Sequence, residues 1–108
     1  MIYKFKSKSA GDVLMMGPNG DQLLKLLGRE PAPRGIIESA DMPAAIETLE
    51  RAVEADEAAR AEAEEEARQK GEDPPPRGEG VSLRQRVWPL IDMMKKSHRN
   101  GHDIVWGV

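Results

Sequence analysis

His98 and His102 stand four positions apart, a spacing that on a continuous helix puts two imidazoles on one face and suits a metal ion. Asp92 lies upstream and Asp103 follows directly, so carboxylates are at hand. Gly101 falls between the histidines, however, and a glycine there ends a helix and removes the common face. The simpler reading sets both imidazoles beside a helix C-terminus, where hydrogen-bonding and cationic groups interact well with the dipole. No third ligand or supporting shell can be named, so no metal is assigned. The second candidate is Gly17-Pro18-Asn19-Gly20, a glycine turn leading into a helix whose free N–H groups would suit an anion. Lys4, Lys6 and Arg34 supply charge, and with Asn19 and Gly20 they form the candidate ligand-binding set. The string is neither a Walker loop nor a dinucleotide fingerprint, and Asp21 would repel a phosphate. A tight turn carrying its own cap is the simpler reading and the preferred one.

Nothing else offers chemistry. Ser7 and Ser9 flank a hairpin turn, Ser39 and Ser82 stand at helix starts, and none lies in a nucleophile elbow. The chain has no cysteine, hence no disulfide, thiolate or Cys-ligated metal. Most carboxylates fall in one solvated run, where ordinary pKa values give no acid–base catalyst. No catalytic residue, cofactor or enzyme class is assigned.

Charge is the remaining lead. The net charge is −3, but residues 1–37 carry six Lys/Arg against three Asp/Glu, residues 38–73 four against thirteen, and residues 74–108 six against three. Basic flanks of +3 therefore bracket a middle of −9. Nucleic-acid binders join such a patch to exposed aromatics. Here Tyr3, Phe5, Trp88 and Trp106 sit in patterns that suggest burial, and a pI near 5.4 argues against that footprint. A self-complementary use is the alternative, with the acidic segment lying on the basic surface of a neighbour.

The elements that position these residues follow from periodicity. Ile2 to Lys6 alternates as a strand, and a turn cluster at Ser9-Ala10-Gly11-Asp12 returns the chain into Val13-Leu14-Met15-Met16. A turn centred on residues 8–11 pairs Phe5 with Leu14 and Tyr3 with Met16, leaving Lys4 and Lys6 with Val13 and Met15 on the reverse, half-apolar face. Asn19, with Gln22 three residues on, is the expected cap of a short leucine-driven helix ending at Gly28. Ile36-Ile37-Glu38 is expected as a third strand, and Ser39 or Asp41 as the cap of the next helix. That helix has an apolar stripe ending at Val53; from Glu54 to Lys70 only Ala is non-polar, which predicts a protruding, fraying arm held by pairs such as Asp56/Arg60, Glu64/Arg68 and Glu66/Lys70. Residues 71–80, with three consecutive prolines, read as an extended linker. Ser82 and Gln85 form a capping box, and Leu83, Val87, Leu90, Ile91 and Met94 stay in helical phase across Pro89, where a kink is expected. Asn100-Gly101 ends this helix before a last strand from Asp103 to Trp106.

The expected fold is α+β, in the order β-β-α-β-α-α-β: a small antiparallel or mixed sheet packed against helices. Residues 1–53 and 81–108 form the domain, and 54–80 an acidic arm and linker inserted in it. A core of roughly 80 residues is marginal alone, which favours a homo-oligomer or a protein partner. The lysines in the first six residues argue against a secretion signal, and no apolar run reaches the roughly 20 residues needed to cross a bilayer, so a cytoplasmic location is expected. Tyr3-Lys4-Phe5-Lys6-Ser7-Lys8, Gly17-Pro18-Asn19-Gly20, Asp41-Met42-Pro43-Ala44-Ala45-Ile46, Val81-Ser82-Leu83-Arg84-Gln85-Arg86 and Ile104-Val105-Trp106-Gly107-Val108 resemble a family of small uncharacterised bacterial proteins, a domain of unknown function. The resemblance implies no substrate, cofactor or catalytic residue.

Overall fold

A computed structural model describes residues 2–72 and 82–107. Its elements are β1 (Ile2–Ser7), β2 (Ala10–Met16), α1 (Gly17–Leu26), β3 (Gly35–Ile37), a 3₁₀ turn (Ser39–Asp41), α2 (Met42–Gln69), α3 (Leu83–Asn100) and β4 (Ile104–Trp106). The expected order holds. The four strands form one antiparallel sheet, ordered β2-β1-β4-β3, with α1 and α3 packed on one face and α2 on α3.

The hairpin turns on Lys8 and Ser9 alone, and this corrects the expected register. Phe5 pairs with Val13, Tyr3 with Met15, Lys4 with Leu14 and Ile2 with Met16, with an irregularity between Phe5 and Ser7. Strand side chains alternate, so a shift of one residue exchanges the two faces of β2. Val13 and Met15 join Tyr3 and Phe5 on the helix-covered face. Leu14 and Met16, in place of Val13 and Met15, share the other face with Lys4.

Burial on the covered face explains the choice. A ring row crosses it: Tyr3 stacks on Phe5 (centroids 6.0 Å, interplanar angle 10°) and Phe5 meets Trp106 at 5.6 Å and 59°. Leu23, Leu24, Met42, Leu49, Leu90, Ile91, Met93 and Met94 close over it from the helices, all fully buried, each contributing about 1.5–3 kcal/mol of transfer free energy. Two glycines make room for the rings. A Cβ on Gly20 would lie 2.1 Å from the Tyr3 ring, and one on Gly35 2.1 Å from the Trp106 ring.

The helix starts show where local chemistry succeeded and where it did not. Helix α1 begins at Gly17 with Met16 as N-cap, so Asn19 is not the cap but lies in the first turn. Pro18 decides this, since its fixed φ suits a first turn and its missing N–H would be unpaired there anyway. Gly28, at φ +76°, closes the helix as expected, with Arg29 N–H donating to the Leu24 carbonyl at 2.8 Å. A 3₁₀ turn precedes α2, and Asp41 holds the cap position without a side-chain bond. The α3 capping box is complete: Ser82 Oγ accepts from the Gln85 N–H at 3.2 Å, and Gln85 Oε1 from the Ser82 N–H at 3.1 Å. Helix α3 runs unbroken past Pro89 and ends at Gly101 in the left-handed region.

Candidate functional site

The sheet has one covered face and one open face, and the open face carries the unusual residues. Ile2, Leu14 and Met16 are 60%, 64% and 60% exposed, and Ile36 41%. Alternation along β1 places Lys4 and Lys6 among them. Lys6 pairs in register with Val105 of β4, and Val105 with Ile36 of β3, so the face reads as two lysines flanked on both sides by apolar side chains. Lys4 Nζ lies 3.5 Å from Asp12 on β2, both about half exposed. Strand lengths and spacing give the face roughly 300 Å² of flat sheet, apolar and charged residues together.

A cleft of about 580 Å³ opens at the hairpin end of this face. It forms because β1 and β4 share only the Lys6–Val105 pair and then part, β1 toward its turn and β4 back toward α3. Lys6, Lys8, Asp12, His102 and Asp103 line it, so its ammonium and carboxylate groups balance. Behind it runs a polar network: His102 Nδ1 meets Ser9 Oγ at 2.6 Å, Asn100 Nδ2 donates to the same oxygen at 3.2 Å, and Ser7 and Ser97 share a 2.7 Å hydroxyl bond. Ser97 is fully buried, and its place in the α3 stripe three residues beyond Met94 was the signal by which the sequence could have revealed it.

The two histidines bind different segments. His98 Nδ1 contacts the Ser39 carbonyl at 3.0 Å, Asp103 accepts from the Ser39 N–H at 2.8 Å, and His102 is taken by Ser9. Together they fasten the start of α2 and the hairpin to the end of α3. Among the described residues no group of three His, Asp or Glu is placed to hold a metal.

The predicted anion set does not converge. Lys4 and Lys6 lie on the open face, whereas Gly20 packs under the Tyr3 ring on the covered face, with Asn19 beside it in α1. Arg34 is exposed in the bend before β3. The Tyr3 hydroxyl donates to Asp21; that bond, with burial of the ring, pushes the phenol up to about 12.

The acidic arm is the second unusual feature. Helix α2 runs unbroken to Gln69, the protruding helix expected; Val53 is its last residue in the main core, and beyond it Ala67 alone among the described residues of the helix is buried. Arg84 on α3 reaches Glu57 at 2.6 Å, Arg60 pairs with Asp56 at 3.2 Å, and Arg68 with Glu65 at 3.1 Å. Those residues face α3 or flank it. At 100° per residue the opposite side presents Ala55, Ala58, Ala59, Glu62 and Glu66, all exposed. Glu62 and Glu66 make no ion pair among the described residues. The radius of gyration is 15.9 Å, against about 13 Å for a compact chain of this length, which reflects the arm. The linker expected over 71–80 lies, from residue 73 on, outside the described residues.

No described helix is long and apolar enough to cross a membrane. No curated protein and no solved structure matches the chain. Residues 1–106 match the model of the family described as domain of unknown function DUF1840, and the chain belongs to that family.

Proposed function

We propose that this DUF1840 protein is a non-enzymatic, self-associating module whose open sheet face is the contact surface, taken by a second copy of the chain. The exposed cluster of Ile2, Leu14, Met16 and Ile36 carries the reading. A sheet is stable in water when its apolar face is covered, and here one face is covered from within and the other is not. The choice of a second copy rests on charge: the lysines of this face and the acidic arm belong to the same chain, so two copies are complementary without any other partner. Sedimentation velocity over a range of protein concentrations tests it. Association is expected to weaken on Leu14→Glu, which places a carboxylate at the centre of the patch, and to be unaffected by Arg99→Glu on the exposed end of α3. A chain that stays monomeric at high concentration overturns the proposal.

One observation favours a second reading, a binder of anionic ligands: Lys6 and Lys8 stand with His102 around the 580 Å³ cleft. Titration with pyrophosphate, followed by amide shifts, tests it. Shifts confined to residues 6–9 and 101–105 that vanish at high salt support the reading, and an unshifted spectrum refutes it.

A further inference from the structure

The open face lacks a helix, and the arm is a helix without a sheet. Resting on the self-association proposed above, we infer that the arm of a second copy lies along β1 on the open face, Glu62 and Glu66 meeting Lys4 and Lys6, and that the two copies exchange arms reciprocally. Spacing is the first argument. Glu62 and Glu66 are one helical turn apart, about 6 Å along the axis. Lys4 and Lys6 are two strand positions apart, about 6.6 Å. The two pairs therefore come into register when the helix runs along the strand. Length is the second. The arm from Glu54 to Gln69 spans about 24 Å, and the six residues of β1 about 20 Å.

Surface chemistry agrees. Ala55, Ala58 and Ala59 on the outward side of the arm let a helix approach a sheet closely, and Ile2, Leu14, Met16 and Val105 flank the lysines as apolar contacts for them. Lys4 would give up its half-exposed pair with Asp12, and Lys6 the polar partner it holds in the free chain, each exchanging one partly solvated interaction for another. A single arm covers part of the face. Two reciprocal contacts bury roughly 1,000 Å² in total, near the lower bound for a specific interface. Reciprocity also closes the assembly, whereas one-way docking would extend it into filaments.

The test uses the full chain and two charge reversals, K4E/K6E and E62K/E66K, at three exposed positions and the half-buried Lys6, with circular dichroism as the check on folding. Wild type is expected to be a discrete dimer whose dissociation constant rises between about 0.05 M and about 0.5 M salt. Each reversed protein alone should dissociate at least about tenfold more readily. Mixed in equal amounts, the two should regain wild-type affinity as a heterodimer, because both of its arm contacts again join opposite charges. A dimer that Leu14→Glu breaks but the reversals leave intact overturns the arm contact and spares the open-face reading. A wild-type monomer overturns both. Reversed proteins that each weaken but do not pair with one another also overturn the arm contact, since repulsion elsewhere then accounts for the loss.

Discussion

Substituting Gly20 by alanine inside α1 sets two known effects against each other. On propensity alone, Gly→Ala in a helix interior stabilises by about 1 kcal/mol. The added Cβ, however, would sit 2.1, 2.6 and 2.7 Å from three atoms of the Tyr3 ring. That ring cannot swing aside, because it stacks on Phe5 and its hydroxyl is bound to Asp21. Overpacking costs about 1–3 kcal/mol, and displacing the ring loses the Asp21 bond, about 1 kcal/mol more. The net expectation is destabilisation of about 2 kcal/mol. With an m-value of about 1–1.5 kcal/mol/M, the urea midpoint should fall by more than about 1 M, measured at fixed protein concentration because self-association alters apparent stability. In a Tyr3→Leu background the clash is gone, so the same substitution should be neutral or stabilising there. A G20A protein as stable as wild type would refute the close packing of α1 on β1.

The chain's single tyrosine makes its ionisation directly readable. Near-ultraviolet absorbance should place the Tyr3 midpoint at about 12 instead of 10.0, and Asp21→Asn should move it back toward the ordinary value. The sign follows from the proton count. Between pH 10 and about 12 the folded state keeps a proton that the unfolded chain has released, so stability is unaffected below that window and falls as pH rises through it. Ser82→Ala removes the capping hydroxyl of α3 and should cost about 1 kcal/mol in urea unfolding, whereas Ser82→Asp should be close to neutral. Ser7→Ala leaves the fully buried Ser97 hydroxyl without its partner and should cost about 1–3 kcal/mol. The Ser7→Ala/Ser97→Ala double variant should lose less than the sum of the single changes.

Elements fixed by strong local signals were legible in the sequence. The stripe of α3, its Ser82–Gln85 box and its stop at Gly101 needed only spacing and residue type, and so did the alternation of β1. What escaped is set by long-range packing. The register of β2 depended on whether the hairpin used two residues or four, and the aromatic row of Tyr3, Phe5 and Trp106 settles that by requiring Val13 and Met15 beneath the helices. Gly20 looked like half of an anion-binding turn. Its reason is the Tyr3 ring, which lies 17 positions away in the chain and shows no local signature. The histidines paired by spacing were separated by Gly101, as expected, but their actual partners, Ser39 and Ser9, come from distant segments that periodicity does not connect. The helical arm was legible in its composition, whereas the Arg84–Glu57 contact that fastens it to α3 joins segments that periodicity does not connect.

The place of β4 in the sheet has a consequence for how the chain reaches this structure. The strand order puts β4 between β1 and β3, so strands near the start and middle of the chain are joined only through residues 104–106. A nascent chain can form the β1–β2 hairpin and its helix early, yet β3 has no partner until those residues leave the ribosome. The pairing of Lys6 with Val105 closes a loop of nearly the whole chain, the kind of contact that slows folding. The sheet therefore cannot close until residues 104–106 have been made, and until then the exposed hairpin face is available to any chaperone or sister chain within reach.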